Sequence, residues 1–180
     1  MRPTLVALLL LATAFAPSAF AQDASFKVCK STYALCTTAR CSPVPGNADA
    51  VACKCDVKSG YSLGAQDCQD PPAPAAGAAV RSRYFPVTSF VSCVNDRPWA
   101  FCLDSPCAID VKGATATCTC SLKRGKDPYV IVTDRYTKDT CSTGVISSAT
   151  VADVLEATEF LKTNAHLPPR DFKVLNVERR

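Results

Sequence analysis

Apolar and polar residues alternate in two stretches of the chain, "AVACKCDV" (Ala50 to Val57) and "ATATCTCSL" (Ala114 to Leu122). A period of two is that of a half-buried strand. Asn47 and Gly60 bound the first stretch, Gly113 and Gly125 the second, so each reads as a short hairpin strand. "YVIVT", Tyr129 to Thr133, predicts a further strand from its β-branched content. After Cys141 the period becomes helical. Val151, Val154, Leu155, Thr158 and Leu161 fall on one face of "TVADVLEATEFLKT", with Asp153, Glu156 and Glu159 opposite. Thr150 can cap this helix with Asp153 three residues on, and Asn164 and Pro168 should end it. One amphipathic helix cannot stand alone, so its stripe is expected on the preceding module or on the linker. Phe160 lies on the acidic side, as a second internal contact or as an exposed hydrophobe.

The cysteines turn these elements into a repeat. Cys29, Cys36, Cys41, Cys53, Cys55 and Cys68 are separated by 6, 4, 11, 1 and 12 residues. Cys93, Cys102, Cys107, Cys118, Cys120 and Cys141 are separated by 8, 4, 10, 1 and 20. Phe26 and Phe90 each stand three before the first cysteine, "YALC" matches "WAFC", and Lys58 and Gly60 match Lys123 and Gly125. The chain therefore reads as a duplication, with modules over residues 22–70 and 86–141. Residues 71–85, "PPAPAAGAAVRSRYF", read as a semi-extended Pro/Ala linker. Such a linker leaves the modules free to move, unless it packs as an ordered strap and makes them one body. A helical region over 142–166 and a loosely attached tail over 167–180 complete the chain.

Residues 1–21 carry Arg2, an apolar run from Leu5 to Phe15 and a small-residue ending at Ala21, which reads as a cleaved secretory signal. The run is shorter than the ~20 residues needed to span a bilayer, and no comparable run follows. All twelve cysteines lie beyond it. An even, high count in an exported chain argues for disulfides, and hence for a secreted or periplasmic protein. Modules of this size bury a marginal core. The expected fold is accordingly small, disulfide-rich and mainly β, two repeats and one C-terminal helix, held more by crosslinks than by a core. The net charge of +4 is too small and too dispersed to mark nucleic acid as a partner.

Site chemistry is sparse. Zinc prefers Cys pairs two to four residues apart, whereas here the tightest spacing is Cys-x-Cys, and the single histidine, His166, lies outside both modules. No Cys-x-x-Cys occurs, so thioredoxin-type redox chemistry lacks its motif. His166 lies among prolines and reads as a solvated side chain, so no catalytic residue, cofactor or metal is expected. Tyr33, Trp99 and Phe101 sit beside cysteines and read as cover for disulfides.

The order Cys, Cys, Cys, Cys-x-Cys, Cys resembles the epidermal-growth-factor-like module, and "CKCDVKSGYSLGAQDC", Cys53 to Cys68, is similar to that family's end, with Gly60 and Tyr61 after the pair. The resemblance covers about forty residues of the first module and is weaker in the second. It implies bonds from first to third, second to fourth and fifth to sixth cysteine. These are Cys29 to Cys41, Cys36 to Cys53, Cys55 to Cys68, and likewise Cys93 to Cys107, Cys102 to Cys118, Cys120 to Cys141. The acidic residues that precede the first cysteine in calcium-binding members are missing here, so calcium is not expected.

The resulting expectation is a non-enzymatic exported binding protein whose partner is a protein or an extracellular surface ligand, its oligomeric state open. The module-two insertion, Lys126 to Thr140, puts Tyr129, Arg135 and Tyr136 in one loop, a mix found at interfaces. Alternatively Tyr129 to Thr133 extends the hairpin and is buried. A second reading is a protease inhibitor presenting Arg40 in "CTTARCSPVP", Cys36 to Pro45. A third is a thiol-redox or metal-binding protein.

Overall fold

A computed structural model describes residues 26–72, 77–85, 89–163 and 172–176. The secretory segment over 1–21, the helix stop at Asn164 and Pro168, His166 and most of the tail lie outside the described residues. Within them the fold is small, disulfide-rich and mainly β, with a single helix. All twelve cysteines are paired.

The first half is built on β3 (Asn47–Gly64), longer than its alternating core predicted because pairing continues through Gly60 to Gly64. Gly60 has φ +133°, a conformation other residues rarely adopt. Two earlier strands lie on β3 in succession. β2 (Arg40–Val44) pairs with its start, Cys41 opposite Cys53, and β1 (Lys27–Leu35) with its remainder, Leu35 opposite Asp56 and Lys27 opposite Gly64. Because both run antiparallel to β3, the earliest residues meet the latest.

That geometry corrects the bond pattern. The pairs are Cys29–Cys68, Cys36–Cys55 and Cys41–Cys53, repeated as Cys93–Cys141, Cys102–Cys120 and Cys107–Cys118. The order is nested, first to sixth, second to fifth, third to fourth. The bonds implied by the epidermal-growth-factor-like resemblance do not form. Cys29 lies opposite Ser62, toward the end of β3, while Cys41 faces Cys53 near its start, so a bond from first to third cysteine would have to cross the strand. Cys53 and Cys55 do point to one face and bond to different partners, as residues two apart in a strand should.

The second half repeats this with β7 (Pro106–Ile109) on β8 (Thr115–Lys123), Cys107 opposite Cys118, and with β5 (Ser89–Cys93) on β9 (Tyr129–Val132). The halves meet where β3 pairs antiparallel with β8, and Cys53 lies opposite its own counterpart, Cys118. A register that sets equivalent residues against each other is that of a pseudo-two-fold axis. The sulfurs obey it: Cys36 Sγ lies 3.5 Å from Cys118 Sγ, and Cys102 Sγ lies 3.6 Å from Cys53 Sγ. Thr38 and Asp104, at matching places after the second cysteine, both take the left-handed conformation, at φ 56° and 57°.

The symmetry extends into the segment that composition marked as linker. β4 (Ala79–Arg81) leaves the first half and pairs with β7 of the second, Val80 opposite Cys107. β10 (Val145–Thr150) leaves the second half and pairs with β2 of the first, Val145 opposite Cys41. Ser82 bridges Ala34 in parallel, and Ser147 pairs with Ala100 of β6 (Trp99–Phe101) in the same sense. Ser82 N donates to Ser105 O and Ser147 N to Ala39 O, both at 2.9 Å. Each half thus lends its return strand to the other. Residues 79–84 are the ordered strap foreseen as the alternative to a free linker, and the halves form one body. A Val-x-Ser at both places, Val80 and Ser82 against Val145 and Ser147, was the sequence signal for it.

Helix α1 (Val151–Thr163) follows β10 directly, and Thr150 Oγ1 accepts Asp153 N at 3.0 Å, the expected cap. Its buried stripe is Val154, Ala157 and Leu161. Leu155, expected on that stripe, is 64% exposed, because the line from 154 through 157 to 161 passes beside it. The stripe packs on Phe26 and Leu63 of the first half and on Tyr84 of the strap, as well as on Val130 and Ala149. Phe160 is an internal contact, its ring centroid 6.5 Å from that of Phe26. β11 (Lys173–Val174) adds to β5.

Candidate functional site

The pseudo-two-fold axis allows one corner of the molecule to be compared with its twin. In the first corner the strap and the turn close onto the loop after β3. Arg83 Nη1 lies 3.2 Å from Asp104 Oδ1, both side chains nearly out of solvent. Asp104 Oδ2 accepts Ala65 N at 2.7 Å and Gln66 N at 3.0 Å. Arg83 spends its other donors on Ser62 Oγ, Gln66 O and Lys27 O, and Arg81 donates to Gln69 O and Asp104 O. Burial lowers the Arg83 pKa from its ordinary value, with Asp104 opposing the fall. Gly64 is required here: a Cβ on it would stand 2.6 Å from Arg83 Nη1. The corner is filled by the chain's own charges.

The twin corner keeps the backbone and loses the filling. The strand register matches Ile146 to Arg81, Ser148 to Arg83, Thr38 to Asp104 and Ile131 to Gly64. No charge remains at the first three places, and the loop that follows β9 is the later part of the module-two insertion, longer than its counterpart. The result is an open cleft of about 370 Å³ between the Cys36–Cys41 turn and that insertion. The volume lies in the range of small-ligand sites. Arg40 and Arg135, distant in sequence, both line it, as do Thr38, Thr133, Thr140 and Thr143.

Arg40 is exposed, and among the described residues its guanidinium makes no hydrogen bond or ion pair. Arg135 Nε lies 3.8 Å from Asp134 Oδ1, with both side chains at least 85% exposed, a pair that water screens and that holds little. Thr133 Oγ1 donates to Arg135 O and accepts from Arg135 N, and Thr143 Oγ1 donates to Asp139 O, so both hydroxyls have spent their hydrogens, Thr133 keeping one lone pair and Thr143 two. The cleft can thus donate from two guanidinium groups and accept through hydroxyls and Asp139.

The three insertion residues singled out by sequence separate. Arg135 lines the cleft and Tyr136 is 48% exposed. Tyr129 is 4% exposed, its ring stacked on Trp99 at 5.5 Å and its hydroxyl bonded to Asn95 and Cys141. It is a core residue because β9 lies between β5 and β10, so the buried alternative for this strand is the one observed. Trp99 also covers Cys93, while Tyr33 is buried in the first half, where burial raises its pKa. Arg40 was noted for another reason, and its meeting with Arg135 had no sequence signal, since it depends on β10 crossing to β2.

Other features have less room. Cys36, Cys55 and Cys118, and Cys36, Cys102 and Cys120, bring sulfurs within 4.8 Å of one another, but these sulfurs are tied as disulfides and carry no thiolate for a metal. Two hollows, one of them against the helix, share Tyr84, whose buried hydroxyl has no hydrogen-bond partner among the described residues and whose pKa burial pushes far up. Each holds about 30 Å³, close to the space of one water. Among the described residues no helix is long and apolar enough to cross a membrane.

No protein-family model, curated protein or solved structure matches this chain.

Proposed function

We propose that the protein is exported and acts as a non-catalytic binding protein, with its ligand held in the cleft between the Cys36–Cys41 turn and the Lys126–Thr140 insertion. The observation that carries this reading is the comparison of twin corners: one is sealed by Arg83 and Asp104, the other is open and lined by arginines with unspent donors. Six disulfides support an oxidising compartment, which agrees with the secretory character of residues 1–21. The cleft-lining hydroxyls of Thr133 and Thr143 donate to main-chain oxygens, an arrangement suited to recognition more than to nucleophilic attack. A rigid crosslinked frame also presents loops without paying their ordering entropy at binding.

The inhibitor reading is less favoured. A substrate-like loop must be free to enter a protease cleft, and Arg40 is paired with Ile146 while Cys41 is paired on both sides.

The test is amide chemical-shift mapping of the disulfide-intact protein against a panel comprising an acidic oligosaccharide, its neutral form, an acidic peptide and inorganic sulfate. The expected result is that whichever compound binds moves Thr38, Arg40 and residues 133–143 most. Shifts centred on α1 or β1, or none from any compound, would contradict the reading.

A further inference from the structure

The chemistry of the cleft narrows the ligand further, and the narrowing rests on the binding reading above. We propose that the ligand is a carboxylate-bearing saccharide of the hexuronate type. Three observations converge on it. The first is a pair of guanidinium groups, Arg40 and Arg135, in a fold that seats a carboxylate between a guanidinium and backbone N–H groups in its twin corner, at Asp104. Planar forks of N–H donors match a carboxylate in two-point contact.

The second is the threonine wall. Thr133 and Thr143 have donated to main-chain oxygens, so what they offer a ligand is a lone pair. They call for a ligand rich in O–H donors. A sugar ring supplies these. An acidic peptide brings carboxylates and one main-chain N–H per residue, fewer donors than the several hydroxyls of a sugar ring, and inorganic sulfate or phosphate brings none or few. Asp139, also on the cleft wall, strengthens the point: a carboxylate there can accept from a ligand hydroxyl and disfavours a dense polyanion, which selects one negative charge set among hydroxyls.

The third is the floor. Ile146, half-buried, is the apolar residue that offers surface to the cleft, with Ile131 buried at 2% exposure beneath it, and a small apolar patch under polar walls suits the C–H face of a pyranose ring. The space of about 370 Å³ opens to solvent, which lets a chain of sugars continue outward.

Titration calorimetry and amide shift mapping on the intact protein decide the matter, with a short oligogalacturonate, its methyl ester, a glutamate-rich peptide of equal charge and sodium sulfate as probes. The oligogalacturonate is expected to bind and to move Arg40, Thr133, Arg135 and Thr143. Arg40→Gln and Arg135→Gln should each weaken it by at least about tenfold, the worth of one charge-assisted hydrogen bond. Esterification should weaken it similarly, and Thr143→Val by several-fold. Both arginines are exposed, so unchanged unfolding midpoints are expected and serve as the control. Equal binding of the ester, or equal or tighter binding of the peptide or sulfate in the same cleft, overturns the saccharide assignment and leaves the cleft as a binding site. If no probe moves the cleft, both statements fall.

Discussion

Asp104→Ala is expected to destabilise the protein by about 3–5 kcal/mol, the cost of leaving a buried charge without its partner. Three groups lose their acceptor at once: the Arg83 guanidinium, Ala65 N and Gln66 N. Arg83 stays buried, because its other donors hold it to Ser62, Gln66 and Lys27. Arg83→Met should cost less, since Asp104 keeps two backbone donors. The double variant Arg83→Met with Asp104→Ala should be more stable than the sum of the single losses, because it removes both charges together. Urea unfolding with unchanged slope measures all three. A loss under about 1 kcal/mol for Asp104→Ala would mean that water reaches the pair and that the closed corner is not closed. The loop over 65–69 should lose hydrogen-exchange protection in the same variant, whereas the twin loop over 133–143 should not change.

Removing the second-to-fifth disulfide, Cys36→Ala with Cys55→Ala, is expected to cost about 4–5 kcal/mol. The crosslink spans a sequence separation of 19, worth about 3 kcal/mol in the chain-entropy model. Both sulfurs are buried, and Cys36 packs on Cys118 of the other half, so their loss leaves a cavity at the seam that adds about 1–2 kcal/mol. Because that seam joins β3 to β8, hydrogen exchange should speed up in both halves. The outer bond gives the contrast. Cys93→Ala with Cys141→Ala opens a separation of 48, worth about 4 kcal/mol, yet its effect should stay near β5 and β9 because no sulfur of the other half touches it. Exchange confined to one half after loss of Cys36–Cys55 would show that the halves do not share a core.

The sequence carried the periodic parts of this fold well. Alternation marked β3 and β8, β-branched content marked β9, and Thr150 with Asp153 marked the start of α1, because these signals are local. The return strands were hidden, since Ala79 to Arg81 follows a proline- and alanine-rich stretch and its strand character comes from β7, not from its own composition. The disulfide order was hidden for the same reason. Six cysteines leave many pairings open, and the choice among them is made by two strands lying in turn along one longer strand. Arg135 of the site was singled out by residue type alone, together with the exposed Tyr136 and with Tyr129, for which burial was the alternative, because an exposed and a stacked tyrosine look alike in sequence. The cleft itself is a difference between twins, Ile146 for Arg81 and Thr38 for Asp104, and such a difference is visible only after the register is known.

The claim on which the rest depends is that each half is one nested ladder and that the halves join through β3 and β8. Peptide mapping of the unreduced protein, with partial reduction and alkylation to separate Cys53 from Cys55 and Cys118 from Cys120, tests it most directly. The expected bonds are Cys29–Cys68, Cys36–Cys55 and Cys41–Cys53, with Cys93–Cys141, Cys102–Cys120 and Cys107–Cys118. Bonds from first to third and fifth to sixth cysteine, or any bond between the halves, would contradict the register, the twin comparison and the cleft together.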